Sequence, residues 1–136
     1  MPNTIKRYDR AKLLRLVKES KPGPYEPSIG EVVFWYDNFN ELIFENELPK
    51  LTGIQFCKSK EYWAETFCRR YMDNKLRAEI KLSYNFKSFK DFLEIMAHEM
   101  VHIWEFENFS VMGHGERFFS WAPKLKRYGL DISEYQ

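Results

Sequence analysis

The fold is decided by the stretch SFKDFLEIMAHEMVHIWEFEN, residues 88–108. It predicts a helix over about 89–108, because Ser88 followed by Asp91 can form a capping box at the helix N-terminus. Large apolar side chains return along the stretch at helical spacing, so one face is expected to pack on the core. In the middle of this helix lies the run H-E-x-x-H, residues 98–102.

The H-E-x-x-H run predicts a metal site. His98 and His102 lie about one turn and 40° apart on the helix, so both imidazoles can face one point. Neutral imidazoles suit zinc, and a catalytic zinc usually has three protein ligands and an open position for water. Glu99 lies about 100° round from His98, near enough to accept a proton from that water. This spacing favours amide hydrolysis with Glu99 as the general base.

Two simpler interpretations of the histidine pair stay open. The histidines could be polar residues of an amphipathic helix whose hydrogen bonds are satisfied within the fold. Alternatively, the site could be a structural zinc site. Such sites are usually closed by four ligands that often include cysteine, and Cys57 or Cys68 could complete one here.

The third ligand has two candidates, His114 and Glu116. The metzincin extension of the motif requires glycine and histidine where this sequence has Glu105 and Asn108, so that class is excluded. A downstream glutamate such as Glu116 would make a gluzincin-type site. His114 is preferred on ligand chemistry, and its two flanking glycines are expected to let the backbone turn sharply towards the metal.

The remaining sequence predicts short helices and strands on both sides of this stretch. Helices are predicted over 5–20 and over 29–45, the second from a capping box of Ser28 and Glu31 and ended by Pro49. A last helix is predicted from Phe118 towards a Gly129 cap, and Pro123 should kink or split it. Strands are predicted at 54–58, 63–68 and 76–83. The last two strands are expected to form a hairpin through an Asp73-Asn74 turn. Prolines and a glycine in 21–27 predict a linker or ordered loop, which divides the chain into 1–27 and 28–136.

The composition indicates one domain with a single core. The chain has 136 residues, of which 44% are apolar and 18% aromatic, and its net charge of +1 gives no general attraction to nucleic acid or acidic lipid. Cys57 and Cys68 are too few for a disulfide framework and are expected to be reduced. No apolar run approaches the roughly 20 residues of a membrane span, and the N-terminus lacks an apolar signal-peptide core. We therefore expect a soluble cytoplasmic protein, and we favour a monomer.

Positive charge is concentrated near the N-terminus. The cluster consists of Lys6, Arg7, Arg10, Lys12, Arg15, Lys18 and Lys21. It could contact the phosphates of a nucleic acid, which would place the protein at the nucleoid or in the nucleus. The interpretation as the solvated face of an amphipathic helix is preferred.

Three segments carry a resemblance to a known family. They are FNELIFENELP at 39–49, the H-E-x-x-H run with Trp104 after it, and GHGERF at 113–118, of which G-H-G-x-x-F is the most discriminating. Over about residues 31–130 the sequence resembles the SprT-like domain of the Spartan/SprT metallopeptidases. Many members carry a C-terminal cysteine-rich zinc ribbon, and its cysteine pattern does not occur in residues 1–136.

The resemblance implies a fold, a site and an activity. The fold is α+β, a small zincin-like domain with a short antiparallel or mixed sheet of about three strands packed on the active-site helix, plus flanking helices. The site is one Zn²⁺ per chain held by His98, His102 and His114, with Glu99 as general base. The activity is intracellular proteolysis, which in Spartan is directed at proteins crosslinked to DNA. By the same analogy a substrate would pair with an exposed sheet edge, for which 63–67 is the candidate; an edge strand with no substrate role is the alternative.

The residues and the resemblance together predict a zinc-dependent metalloendopeptidase that acts on protein substrates, among them DNA-associated or DNA-crosslinked proteins. One alternative is a catalytically silent, zinc-stabilised module that binds DNA or protein. A narrow amidase of the deformylase kind also uses H-E-x-x-H, but it needs an upstream cysteine ligand in a motif that is absent around Cys57 and Cys68.

Overall fold

The computed structural model describes residues 8–58 and 61–132, so Lys6 and Arg7 of the basic cluster lie outside the described residues. The chain forms an α+β fold with a small mixed sheet and several helices, which confirms the predicted fold class. In chain order the elements are α1 (Arg10–Glu19), β1 (Pro22–Tyr25), α2 (Ile29–Leu42), β2 (Leu51–Cys57), β3 (Ala64–Arg70), β4 (Leu76–Ser83), β5 (Phe86–Ser88), α3 (Phe89–Phe109), α4 (Glu116–Phe119) and α5 (Ala122–Lys126).

Helix α3 is the centre of the fold, and the prediction of a helix over about 89–108 is confirmed. The Ser88 side chain accepts a hydrogen bond from the Asp91 backbone N–H at 3.1 Å, which caps the N-terminus. The helix ends at Ser110, whose φ of 58° is left-handed. Residues 92–103 of α3 are all buried, because the sheet, α2 and α4 pack around it. A helix enclosed in this way holds its polar side chains in fixed positions.

Strand β4 lies in the middle of a three-stranded sheet with the order β2-β4-β3. Its alternate residues Leu76, Ala78, Ile80 and Leu82 are buried, as the period-two pattern predicts. β2 runs parallel to β4, and β3 runs antiparallel to it as the second arm of the predicted hairpin. β3 is therefore an edge strand, and it packs directly on α3.

The N-terminal segment packs on the same core as the rest of the chain. Leu13 and Val17 of α1 are buried in that core. The segment predicted as a linker or loop is ordered as β1, which pairs antiparallel with β5 so that Pro22 lies opposite Ser88. The division at residue 27 stays a prediction, although α1 and β1 pack against later elements of the chain.

Helix α2 begins at the predicted capping box, in which Ser28 and Glu31 each bind the other's backbone N–H. Its predicted end near residue 45 is wrong, since the helix stops at Leu42, well before Pro49. The reason is the buried side chain of Asn40, which donates to the Leu48 carbonyl at 2.9 Å and accepts from the Leu48 N–H at 3.1 Å. These bonds fold the chain back in a tight turn that contains left-handed residues.

The helix predicted after Phe118 is split rather than kinked, into the two short helices α4 and α5. Pro123 lies in the first turn of α5, where its missing N–H costs nothing, so it separates the helices instead of bending one. Gly129 has a left-handed φ of 81° just beyond α5, as expected for a glycine cap. Among residues 8–58 and 61–132, no helix is both long enough and apolar enough to cross a bilayer.

Candidate metal centre

The three histidines predicted as ligands converge on one point. His98 and His102 project from adjacent turns of α3 and are buried, whereas His114 lies on the loop between α3 and α4 and is exposed. Their Nε2 atoms are 3.2 Å apart for His98 and His102, 3.2 Å for His102 and His114, and 3.3 Å for His98 and His114. Within the described part of the chain, this is the group of His, Cys, Asp and Glu residues that could hold a metal ion.

The nitrogen triangle fits a tetrahedral zinc. Nitrogens that lie about 2.0–2.1 Å from a tetrahedral ion are about 3.3–3.4 Å from one another, close to the distances between these Nε2 atoms. Hydrogen bonds among the rings explain the triangle less well. Each Nε2 carries one hydrogen or one lone pair, so three such atoms cannot all be satisfied by one another. The donor set and its spacing therefore favour an ion over histidines that simply bond to each other.

One aromatic ring supports all three histidines. The buried side chain of Phe118, the first core residue of α4, lies with its ring centroid 4.7 Å from those of His98 and His102 and 4.9 Å from that of His114. This contact explains the G-H-G-x-x-F spacing in physical terms, since the phenylalanine one turn after His114 packs behind the ring that its own loop presents.

The surroundings keep the helical imidazoles neutral. Burial, together with the neighbouring histidines, lowers the pKa of His98 to about 3 and the pKa of His102 to about 4. A neutral imidazole offers the lone pair that a metal needs, so both rings are in the ligating form at neutral pH.

Glu99 is buried beside the triangle, with its Oε2 atom 3.8 Å from His98 Nε2. Thr66 of β3 donates its hydroxyl hydrogen to Glu99 Oε1 at 2.6 Å. Burial raises the pKa of Glu99 to about 7; the Thr66 hydrogen bond opposes this rise, and the charge of Glu65 adds to it. A carboxylate with a pKa near neutrality suits a general base.

Sequence reasoning missed Thr66 as a partner of Glu99. The period-two pattern of the predicted strand places its side chain on the inner face, but only the packing of β3 against α3 brings it to residue 99.

Glu105 is a second residue that sequence reasoning missed, having used it only to exclude one class of peptidase. Its buried carboxylate accepts a hydrogen bond from the Gly113 N–H at 2.9 Å, which ties the His114 loop to α3. The same Oε1 atom lies 3.7 Å from His102 Nδ1, a buried nitrogen that has no hydrogen-bond partner among the described residues. Glu105 therefore lies beside His102 Nδ1 and holds the backbone just before His114, a position like that of the carboxylates that orient ligating histidines.

The expected role of the glycines beside His114 is wrong. Neither Gly113 nor Gly115 has a left-handed φ, and a Cβ atom added to either would meet nothing within 4 Å. The hydrogen bond to Glu105 and the packing on Phe118 place the loop instead. Glu116, the other candidate ligand, is exposed in the first turn of α4 and is not part of the histidine group.

The cysteines do not complete a closed zinc site within the described residues. No disulfide joins Cys57 to Cys68, and neither belongs to the histidine group. Burial, with the nearby charges of Glu107 and Glu99, raises the pKa of Cys68 to about 12.

A cavity of about 530 Å³ lies against the histidines, and we name it the metal cleft. Its lining comprises residues 63–66, His98, Glu99, His102 and 112–114. Thus the start of strand β3 forms one wall and the His114 loop forms another. The basic residues of α1 do not line this cleft; Arg10, Lys12, Arg15 and Lys18 are exposed on that helix.

The fold and the cluster together define a small α+β domain of the zincin-like, metallopeptidase type. The model of the SprT-like family matches residues 34–136, well over half of the sequence. The chain therefore belongs to the SprT-like family. A search of curated proteins finds no match to this sequence.

Proposed function

We propose that this protein is a zinc-dependent endopeptidase that hydrolyses peptide bonds within protein substrates. One observation carries the proposal: three imidazole nitrogens 3.2–3.3 Å apart lie beside a buried carboxylate in a cleft walled by an edge strand. Membership of the SprT-like family supports it.

Each residue of the cluster has a role in this proposal. His98, His102 and His114 hold the metal. When bound, a zinc ion supplies Lewis acidity that polarises the substrate carbonyl and makes a nearby water easier to deprotonate. Glu99 takes one proton from the attacking water as its oxygen bonds to the carbonyl carbon. The same carboxyl group then gives that proton to the amide nitrogen as the C–N bond breaks, so that an acid and an amine leave. The hydrogen bond from Thr66 keeps the Glu99 carboxylate oriented towards the attacking water.

The free edge of β3 is suited to hold the substrate chain. Ser83 N–H donates to the Trp63 carbonyl, and Tyr71 N–H donates to the Lys75 carbonyl, at the two ends of the β3–β4 pairing. Bonded residues alternate in an antiparallel pair, so the odd-numbered residues between them bond to β4. The backbone groups of Ala64, Thr66 and Cys68 therefore face the open edge, where an extended peptide can pair with them.

The test compares Glu99→Gln with the wild-type chain. We expect equal zinc content and equal circular dichroism, and a loss of about a hundredfold to ten-thousandfold in the cleavage of an unfolded protein, because the general base is removed. Cleavage is assayed with and without single-stranded DNA. Glu116→Gln is the matched control: it changes an exposed carboxylate near His114 and should leave both zinc content and cleavage unchanged.

The outcomes separate the candidate functions. Equal cleavage by wild type and Glu99→Gln would remove Glu99 from its role. No cleavage by either, with zinc bound, would favour a catalytically silent module that binds DNA or protein. The exposed basic residues of α1 are the observation in favour of that second candidate, and a DNA affinity that falls as salt rises would support it. An intracellular location and action on DNA-crosslinked proteins are further proposals that rest on the family alone.

A further inference from the structure

A second cavity, of about 660 Å³, continues from the metal cleft along the edge of β3. We name it the strand-edge cavity. Thr66 and Met112 line both cavities, so the two are adjacent. One wall of the strand-edge cavity is β3 from Thr66 to Arg69, and the opposite wall is the chain just after α3, residues 110–112. Its volume lies within the range of about 300–1,000 Å³ that is usual for ligand sites.

The interior of this cavity presents apolar side chains that are unusually open to solvent. Phe67 is 49% exposed, Val111 47% and Met112 37%. Phe106 of α3 lies partly buried between them and the core. Apolar side chains exposed singly need no explanation, but several of them around one concave surface mark a place where a ligand is bound.

The lining of the cavity also includes three charged residues, Arg69, Arg77 and Glu79. The Arg77 guanidinium lies 4.1 Å from the centroid of the Tyr71 ring and forms an ion pair with Asp73 at 3.2 Å. Both of these contacts of Arg77 are made within the protein. The exposed large apolar side chains of the lining are Phe67, Tyr71, Val111 and Met112, and these supply its apolar surface.

The backbone of β3 fixes how a peptide would reach this cavity. We expect an extended chain that pairs with the open edge at Thr66 and Cys68 to run along the strand-edge cavity, whose lining includes Phe67 and Val111. β3 runs from the metal cleft towards the strand-edge cavity, and antiparallel pairing is about two to three times as common as parallel pairing. In an antiparallel arrangement, the substrate residues before the scissile bond lie in the strand-edge cavity and those after it lie beyond the metal cleft.

We infer that the strand-edge cavity is a substrate subsite that selects an aromatic or long aliphatic side chain on the N-terminal side of the scissile bond. This inference rests on the proposed peptidase function. It narrows the substrate class to unfolded or extended segments that carry such a side chain, because a folded helix or a compact turn cannot pair with a strand edge.

The first experiment reads the side-chain preference directly. The zinc-loaded full chain is incubated with a mixture of randomised peptides, and the products are identified by mass spectrometry. We expect Phe, Tyr, Leu and Met to be enriched within a few positions before the cleaved bond. Phe67→Ala and Val111→Ser should each reduce kcat/KM for the preferred peptides by about tenfold relative to peptides with Ser there. Both residues are largely exposed, so neither change should affect folding.

The matched control is Tyr84→Ala. Tyr84 is 43% exposed and stacks on Phe56 of β2, at the opposite edge of the same sheet. Its removal should leave the cleavage profile unchanged. If cleavage occurs without a side-chain preference, if the preference lies after the cleaved bond, or if neither Phe67→Ala nor Val111→Ser alters it, the subsite assignment is overturned while the peptidase function stands.

A second measurement separates the subsite from catalysis. Zinc-loaded Glu99→Gln is titrated into a fluorescein-labelled twelve-residue peptide of Gly, Ser, Ala and Lys that contains one Phe, and anisotropy is followed. We expect binding about tenfold tighter than for the same peptide with Asp in place of Phe, and a loss of that difference when Phe67→Ala is added. If the difference is present and wild type cleaves nothing, the proposed function fails and the apolar peptide site stands. Equal binding of the two peptides overturns the subsite.

Discussion

The two parts of the histidine cluster are built on different principles. His98 and His102 stand on adjacent turns of a buried helix, so their separation is set by the helix itself. His114 stands on a loop, and its position depends on contacts with other elements, namely the Gly113 hydrogen bond to Glu105 and the ring of Phe118. The comparison teaches that local geometry can fix two ligands, but the third has to be placed by tertiary packing.

The largest expected effect on cleavage comes from removing one of the two histidines on helix α3. His102→Ala removes a nitrogen that lies 3.2 Å from both of the others, so the remaining pair should not hold zinc at stoichiometric amounts. We expect cleavage to fall on the order of a thousandfold, since the Lewis acid is lost with the metal. Zinc content by atomic absorption and cleavage of an unfolded protein are the measurements. Full zinc content in this variant would mean that His102 is not a ligand.

Glu105→Gln tests the contact that joins the His114 loop to helix α3 beside His102. The amide keeps the size of the side chain but loses the charge that faces His102 Nδ1, so zinc affinity should fall about tenfold to a hundredfold. Competition with a chelator of known affinity measures this without any activity assay. Glu107→Gln is the matched control, because Glu107 lies on the same helix but pairs with Arg70. An unchanged zinc affinity in Glu105→Gln would assign Glu105 to packing alone.

Thr66→Val tests the orientation of the general base Glu99 without changing any of the three histidines. The change keeps the shape of the side chain and removes the hydrogen bond to Glu99, which then loses its orientation. We expect kcat to fall about tenfold, in line with a charge-assisted hydrogen bond of about 1.5 kcal/mol, while zinc affinity stays the same. Thr52→Val, on the opposite edge strand, removes a hydroxyl that bonds only to the Ala78 carbonyl and should leave kcat unchanged. Equal kcat in all three chains would show that Thr66 does not position the base.

The smallest expected effects are on the free energy of unfolding when the glycines on either side of His114 are replaced. Gly113→Ala and Gly115→Ala should each alter the free energy of unfolding by less than about 0.5 kcal/mol, because neither position has a left-handed φ or a near neighbour for a Cβ atom. Gly129→Ala should cost about 1 kcal/mol or more, since φ is 81° there and the new Cβ would lie 3.2 Å from Leu14 Cδ2. Urea denaturation measures all three. A large loss at residue 113 or 115 would restore the idea that the loop needs glycine.

The sequence predicted the helical part well because a spacing of four residues on a helix is a local property. The third histidine was predicted from ligand chemistry, but the role expected for its two glycines was wrong: they do not make a sharp turn, and Glu105 and Phe118 place the loop. Thr66 could not be assigned as a partner of the site, because it acts across a contact that only the folded chain creates. The place of Glu105 beside His102 is a local property of the helix, but its hydrogen bond with the Gly113 N–H is not. Thr66 is 33 residues from Glu99 in the chain.

The errors in the fold prediction have a similar cause. Helix α2 stops at Leu42 because the buried Asn40 side chain bonds to the backbone of Leu48. The spacing of apolar residues, from which the helix was predicted, gives no information about such a bond. The proline-rich segment became β1 because β5 offers it a partner, which the pattern of prolines cannot reveal. In both places polar contacts between separate segments of the chain overrode the local pattern.

The position of Phe118 affects the side from which a metal ion can reach the three histidines. Its buried ring packs against all three imidazoles, and the metal cleft, which all three line, is an open approach to their nitrogens. In the proposed function, a peptide would occupy the same cleft. We therefore expect a bound peptide to slow the removal of the metal ion by a chelator until that peptide is released.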